Sequence, residues 1–502
     1  MHKIWLLISA CILSACCTFA QERTSRDFNP QKKYPVSELQ TDFRLLMTAL
    51  EQSHPGLYSF NTKEETRHRF DSLYNSLRTE QTELQFYSTV SSALANIGCG
   101  HTAAFLSKKY RKEFEEKNCR YFPFQVKVQD HRLYILSNRS TDSSIVPGAE
   151  ILELNGKPAR DIERQILPYL TSDGHSETLK QYELTNGFMY YYAEFVGQPK
   201  WFQLRLRIPG DELDKLATVP ALNLDDIHKI NEKRNLSLQS VPKTKPLHFR
   251  INSEKIAVLT IHSFDDDDIS AARQHFRSFI RSAFDSIKQQ GVNDLVIDIR
   301  NNGGGDDYNA SYLYSFLTDT AFKYYDRVEV TSDKKLSFLR HTDKPLLFRL
   351  FRLFVKSDPD FPSRHLWTYS RALRVQQPNP ASFRGEVFVL INGGSFSATS
   401  EFAALADFHK RAVFIGEETG GNYQGDNSGL ELILTLPNTH IRVRIPQMKY
   451  VLAVDHARMA GRGIMPNYTI LPGIKDFLTG KDPEEEFTLD LIQKKNCKAC
   501  GR

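Results

Sequence analysis

Apolar residues recur at helical spacing over Val36–Gln52, Glu64–Leu77 and Leu84–Ala95, which predicts three helices near the start of the chain. Ser37 and Thr62 stand at N-cap positions, each with a partner three residues on (Gln40 and Glu65), as a capping box requires. The pattern then shortens. Phe122–Val128 and Arg132–Leu136 read as strands, and Ile151-Leu152-Glu153-Leu154 runs into Asn155-Gly156, a strong hairpin signal. Residues 211–245 are polar and mixed, which predicts a linker or insertion. From 246 onward strands and helices alternate: Lys255–Ile261, helix Ile269–Gln289, Asp294–Ile299, Glu386–Ile391, helix Ser400–His409 and Ala412–Ile415. That alternation predicts an α/β core around a central sheet. Residues 326–385 interrupt it. Within them Pro345–Val355 is rich in Leu and Phe, with Arg349 and Arg352 interleaved and Lys356 just beyond. A packed insertion helix is the favoured reading there, with a lid or a membrane-surface contact as alternatives.

Composition narrows the picture. The chain has 502 residues, enough for roughly three domains at about 150 residues each. It is 40% hydrophobic and 25% charged, which excludes wholesale disorder. Sixty-five Lys and Arg against 60 Asp and Glu leave a net +5, with no basic block to suggest a nucleic-acid partner. At the start, Lys3 precedes the short apolar run Ile4–Leu13, the pattern of an export signal spanning residues 1–20. Leu13-Ser14-Ala15-Cys16 resembles a bacterial lipobox, in which Cys16 would carry the lipid anchor. Thr18-Phe19-Ala20 offers an ordinary cleavage site instead. The expected location is therefore exported, either periplasmic or held to the membrane by that anchor. Four of the seven cysteines lie beyond this segment. An oxidising compartment would permit Cys99–Cys119 and Cys497–Cys500 disulfides.

The candidate chemistry sits at turns. Glu386–Ile391 ends in Asn392-Gly393-Gly394, and a helix starts just after Ser397. A hydroxyl there faces outward-pointing helix N–H groups, which suits a nucleophile whose product is an oxyanion. Ser397 could equally be a plain N-cap, and these residues alone leave the two readings even. Asp298-Ile299-Arg300-Asn301-Asn302-Gly303-Gly304-Gly305 lets backbone approach a ligand closely, yet it lacks a P-loop lysine. The alternative use of this turn is to donate a second N–H to the oxyanion.

Together these segments resemble the tail-specific (C-terminal-processing) serine peptidase family, in its tricorn-like and interphotoreceptor-retinoid-binding-protein-like branch. Asp298–Gly305, Gly394–Phe402, Ile415–Gly421 and Gly461-Arg462-Gly463-Ile464-Met465-Pro466-Asn467 match its motifs in order, and Val146–Pro158 resembles a strand and turn of PDZ domains. The resemblance implies an α/β catalytic core of crotonase-like ββα type, an N-terminal helical domain over 21–115 and a PDZ-like β-rich domain over 120–210. The linker would fill 211–245, the core 246–480 with its insertion at 326–385, and a C-terminal helix and tail 481–502.

The resemblance also implies roles. Ser397 would be the nucleophile, with oxyanion donors in the N–H groups of Ala398 and of Gly303 or Gly304. The lysine that many members place twenty-five residues after the serine is Asn422 here, which disfavours a Ser–Lys dyad. His101, in Gly98-Cys99-Gly100-His101-Thr102, would then be the general base. His54 would shape the N-terminal block or the cleft. The tricorn-like acid maps onto Ala460, so Glu401, Glu418 and Asp455 are the candidates for a third member. The expected function is hydrolysis of peptide or protein substrates, with their C-termini captured by strand addition and no metal or cofactor required. A non-catalytic ligand- or peptide-binding protein on the same fold is the alternative.

Overall fold

The computed structural model describes residues 28–234, 245–331 and 336–500. The export signal and Cys16 lie outside the described residues.

The N-terminal helices form at Val36–Ser53, Lys63–Ser76 and Glu83–Ala95. Thr62 and Glu65 make the expected capping box, and Thr82 with Gln85 makes a second. Ser37 does not cap: Pro35 holds the N-cap position, so Ser37 lies inside the helix. Asp42 of the first helix is fully buried and ties this block to the rest. One carboxylate oxygen accepts Asn438 N–H and Nδ2 at 3.1 and 2.8 Å. The other accepts Thr439 N–H and Oγ1 at 2.8 and 2.7 Å. Replacing Asp42 with alanine strands two backbone donors away from water. We expect it to lower stability by about 3 kcal/mol in denaturant unfolding, with Asp42→Asn intermediate.

The β-rich unit is a sheet ordered Phe124–Gln129, Arg132–Asn138, Glu150–Leu154, Trp201–Arg207, Lys215–Pro220, with the helix Thr178–Phe195 packed on its edge strand. The Asn155-Gly156 turn forms as expected, both residues at positive φ, joining Glu150–Leu154 to Lys157–Pro158. The polar stretch after 210 is partly structured. Lys215–Pro220 pairs antiparallel with Trp201–Arg207, and Leu224–Arg234 is a helix.

The core sheet runs Leu247–Ile251, Ile256–Ile261, Asp294–Asp298, Glu386–Ile391, Val413–Gly416, Tyr468–Thr469. All neighbours are parallel except the first pair. Its central strands are buried almost throughout, with Thr260 alone in these two partly exposed, because both faces are covered. The C-terminal helix Pro483–Cys500 covers one face, with Ile492 packed among Val258, Val296 and Leu390. Arg300 fastens that helix to the turn after Asp298, pairing with Asp298 and Asp482, each at 2.7 Å. The helix expected at 269–289 is two, Asp266–Ala271 and Phe276–Gln290, broken where Arg273 takes a φ of 57°.

A further sheet carries parts of the site. It orders Val355–Ser357, His365–Trp367, Tyr325–Val330, Arg442–Leu452, Asn427–Thr435, and Ala103–Phe105 adds to Arg442–Arg444. That last pairing brings residues next to His101 onto the core. The Cys99–Cys119 disulfide that the sequence permits does not form. Both thiols are buried and free, Cys99 facing the Asn427 carbonyl and Cys119 that of Arg120. Cys497 is exposed, and the Cys500 side chain, with the Cys497–Cys500 pairing that the sequence permits, lies outside the described residues.

Candidate active site

Ser397 sits between the buried strand Glu386–Ile391 and the helix Ala398–Phe408. Its backbone is at φ 55° and ψ −131°, a conformation that costs a non-glycine residue energy and that the surroundings must impose. They do so through the triple-glycine turn. Phe396 N–H donates to the Asn302 carbonyl at 3.0 Å, and the Asn302 side chain donates to the Ile261 carbonyl at 2.9 Å. A Cβ on Gly304 would stand 2.7 Å from Ser397 Cβ, so only glycine permits this approach. Ser397 makes no side-chain cap of its helix. Its hydroxyl meets His101 Nε2 at 3.1 Å instead, which takes away the N-cap reading. Ser395 and Ser400 are buried and spend their hydroxyls on the Ile299 and Ser395 carbonyls.

Three contacts fix the His101 turn. Gly100 N–H donates to Asp173 at 2.7 Å, Arg444 Nε to the His101 carbonyl at 2.8 Å, and His54 Nε2 bonds Thr102 Oγ1 at 2.8 Å. The imidazole stacks on Phe396 with centroids 4.6 Å apart. Burial drives the His54 pKa down to about 3, so that ring is neutral and braces the turn. Burial also raises the Asp173 carboxyl to about 6.

The acid beside this pair is Asp426, which the sequence reading missed. Its Oδ2 lies 3.1 Å from Ser397 Oγ and 3.7 Å from His101 Nε2, while Oδ1 accepts the Ser428 hydroxyl at 2.8 Å. Asp426 therefore approaches His101 from the serine side. The opposite nitrogen, Nδ1, is buried with no hydrogen-bond partner among the described residues. The signal was present: Asp426 follows four residues after Asn422, the position where a Ser–Lys dyad would need its lysine.

The three acids expected from sequence do other things. Glu401 is buried and accepts the Tyr325 hydroxyl at 2.7 Å. Burial and the nearby Asp426 hold its pKa well above the carboxylate range, so it stays neutral and cannot balance a histidine. Glu418 pairs with both arms of the Arg462 guanidinium and accepts Gly463 N–H at 2.8 Å. Asp455 closes an exposed turn by accepting Ala457 N–H at 3.0 Å. The oxyanion expectation also shifts. Ala398 is the first residue of its helix, so its N–H has no intrahelical acceptor. Gly304 N–H, however, donates to Asn302 Oδ1 at 2.9 Å, and it is Gly305 rather than Gly303 or Gly304 that lines the cleft with Ala398.

That cleft, about 670 Å³, contains Ser397 and His101 and is strongly acidic. Asp265, Asp266, Asp267, Asp306, Asp307 and Glu431 line it beside the neutral Glu401, and no lysine or arginine does. Asp265 and Asp306 cap short helices. Burial and the adjacent Asp306 raise Asp307 to about 7.

Residues 255–470 match Peptidase family S41. They form a peptidase family S41 domain. The S41 families are serine peptidases, so the chain's core has a serine-peptidase fold. The structure is similar to that of mature CPAF, at 16% identity and TM-score 0.62, over 92% of this chain and 97% of that one. It is equally similar to mature CPAF complexed with lactacystin, at 14% identity and TM-score 0.62, over 92% and 98%. At these identities the likeness concerns the fold. No curated protein sequence matches the chain.

Proposed function

We propose that the S41 domain is catalytically active as an endopeptidase, with Ser397 as nucleophile and His101 as general base. The observation that carries this reading is the strained Ser397, with its hydroxyl 3.1 Å from His101 Nε2. His101 Nε2 takes the hydroxyl proton as Oγ attacks the peptide carbonyl. The imidazolium so formed has the Asp426 carboxylate 3.7 Å from the protonated nitrogen, which stabilises it. Ala398 N–H, aided by the helix N-terminus, would hold the oxyanion. His101 then returns the proton to the leaving amine, and water releases the acyl group. Incubating the purified chain with an unfolded protein and mapping new termini by mass spectrometry tests this. Internal cuts that vanish in Ser397→Ala support it, and an intact substrate contradicts it.

The acidic cleft supports peptides with lysine or arginine near the cut bond as the substrate class. Asp307 is neutral below about pH 7 and charged above, so the cleft gains negative charge as pH rises. We expect KM for a lysine-containing peptide to fall severalfold between about pH 6 and about pH 8. Asp307→Asn should flatten that dependence, as steady-state kinetics across pH would show.

Capture of substrate C-termini is supported by a cavity of about 260 Å³ between the edge strand Phe124–Gln129 and the helix Thr178–Phe195, where Lys127 supplies a cation. Part of it is covered by the chain's own Leu471 and Phe477. Export, with lipidation at Cys16, is supported by the sequence pattern alone.

A further inference from the structure

The segment after Lys344 buries only half of its apolar surface. Pro345–Arg352 is helical, and Phe348 and Phe351 are buried, Phe351 stacking on Trp367 at 4.6 Å. The other side points to solvent. Leu346 is 70% exposed, Leu350 57%, Leu353 76% and Phe354 45%. Steps of four and three residues put the three leucines on one helical face. Phe354 continues the patch onto Tyr369, itself exposed, at 5.6 Å. The packed insertion helix favoured from sequence is thus correct for one face and wrong for the other. A contiguous patch of large apolar side chains marks a surface that something covers.

The charges around the patch say what fits. Lys344, Arg349 and Lys356 are exposed beside it, and Arg349 has no ion-pair partner among the described residues. Of the nearby acids, Asp343 lies 4.0 Å from Lys344, and Asp358 is buried and held by Arg364 at 3.1 Å. Apolar side chains bordered by cations match the boundary between acyl chains and anionic headgroups. A second copy fits less well, because a two-fold contact through this face sets Arg349 against its own equivalent. No helix among the described residues is long and apolar enough to cross a membrane, so contact would be from the surface. We propose that Leu346, Leu350, Leu353 and Phe354 dock the protein on an anionic lipid surface, with Lys344, Arg349 and Lys356 meeting the headgroups. This contact is separate from any lipid at Cys16 and does not depend on peptidase activity.

The test is co-sedimentation of the full chain carrying Cys16→Ser, which excludes acylation there. The vesicles are phosphatidylcholine alone and an equimolar mixture with phosphatidylglycerol. Binding is expected to the anionic vesicles in preference to the neutral ones. Leu350→Glu with Leu353→Glu should reduce it at least about tenfold, and Arg349→Glu severalfold. Both positions are exposed, so the melting temperature should not move, and this is measured in parallel. Absence of binding to anionic vesicles overturns the proposal, as does equal binding by the unaltered and double-glutamate chains. So does a dimer in light scattering that the two glutamates abolish, because a second copy would then be the occupant.

Discussion

Replacing Ser397 with alanine is expected to lower kcat/KM for peptide hydrolysis by about a hundred-thousand-fold, and His101→Ala by a similar factor. Serine alone is a weak nucleophile near neutral pH, and of the two groups 3.1 Å from its hydroxyl, the imidazole of His101 and the carboxylate of Asp426, the imidazole is the stronger base. Because the two residues perform one step, the double variant should be scarcely worse than either single one. Neither change should unfold the protein. The Ser397 hydroxyl supports no backbone group, and the His101 turn is held by Asp173, Arg444 and Thr102 through contacts that do not use the imidazole. Steady-state kinetics beside a thermal melt checks this. Losses that multiply in the double variant would mean the two act separately.

Asp426→Ala is expected to cost about a thousandfold in kcat, or about 4 kcal/mol of transition-state stabilisation, with little change in KM. The carboxylate is nearly buried and lies beside the nitrogen that becomes charged as the serine attacks, so its attraction is felt most in the transition state. Asp426 Oδ2 also lies 3.1 Å from Ser397 Oγ, where it competes with His101 Nε2 for the single hydroxyl proton in the resting enzyme. Asp426→Asn separates these effects, since it keeps the shape and removes the charge. It should recover little activity, because the imidazolium formed as the serine attacks loses its nearest anion. A variant more active than the starting enzyme would show instead that Asp426 restrains the serine.

The parts of this site that sequence made legible are those carried by local pattern. Glu386–Ile391 reads as a buried strand and Gly393-Gly394 as its end, and the structure forms both as read. His101 and Ser397 stood out through their flanking residues. Asp426 did not, because its neighbours in space are 325 and 29 residues away in the chain. What joins them is Ala103–Phe105 adding to Arg442–Arg444, a pairing that three mixed residues do not announce. Glu401 was attractive because it lies one turn along the helix from Ser397. Burial, invisible in a single sequence, makes it neutral. Lys215–Pro220 was read as linker because it is an edge strand with an exposed face, so its alternation is weak. The helix expected at 269–289 kept its apolar spacing across a break that rests on one backbone angle at Arg273.

The central claim is that Ser397 is an activated nucleophile. Intact-mass analysis after treatment with a serine-reactive fluorophosphonate tests it most directly. The account predicts a single adduct on the unaltered chain, located at Ser397 by peptide mapping and lost in both Ser397→Ala and His101→Ala. An unmodified chain, or an adduct that persists in Ser397→Ala, would contradict it.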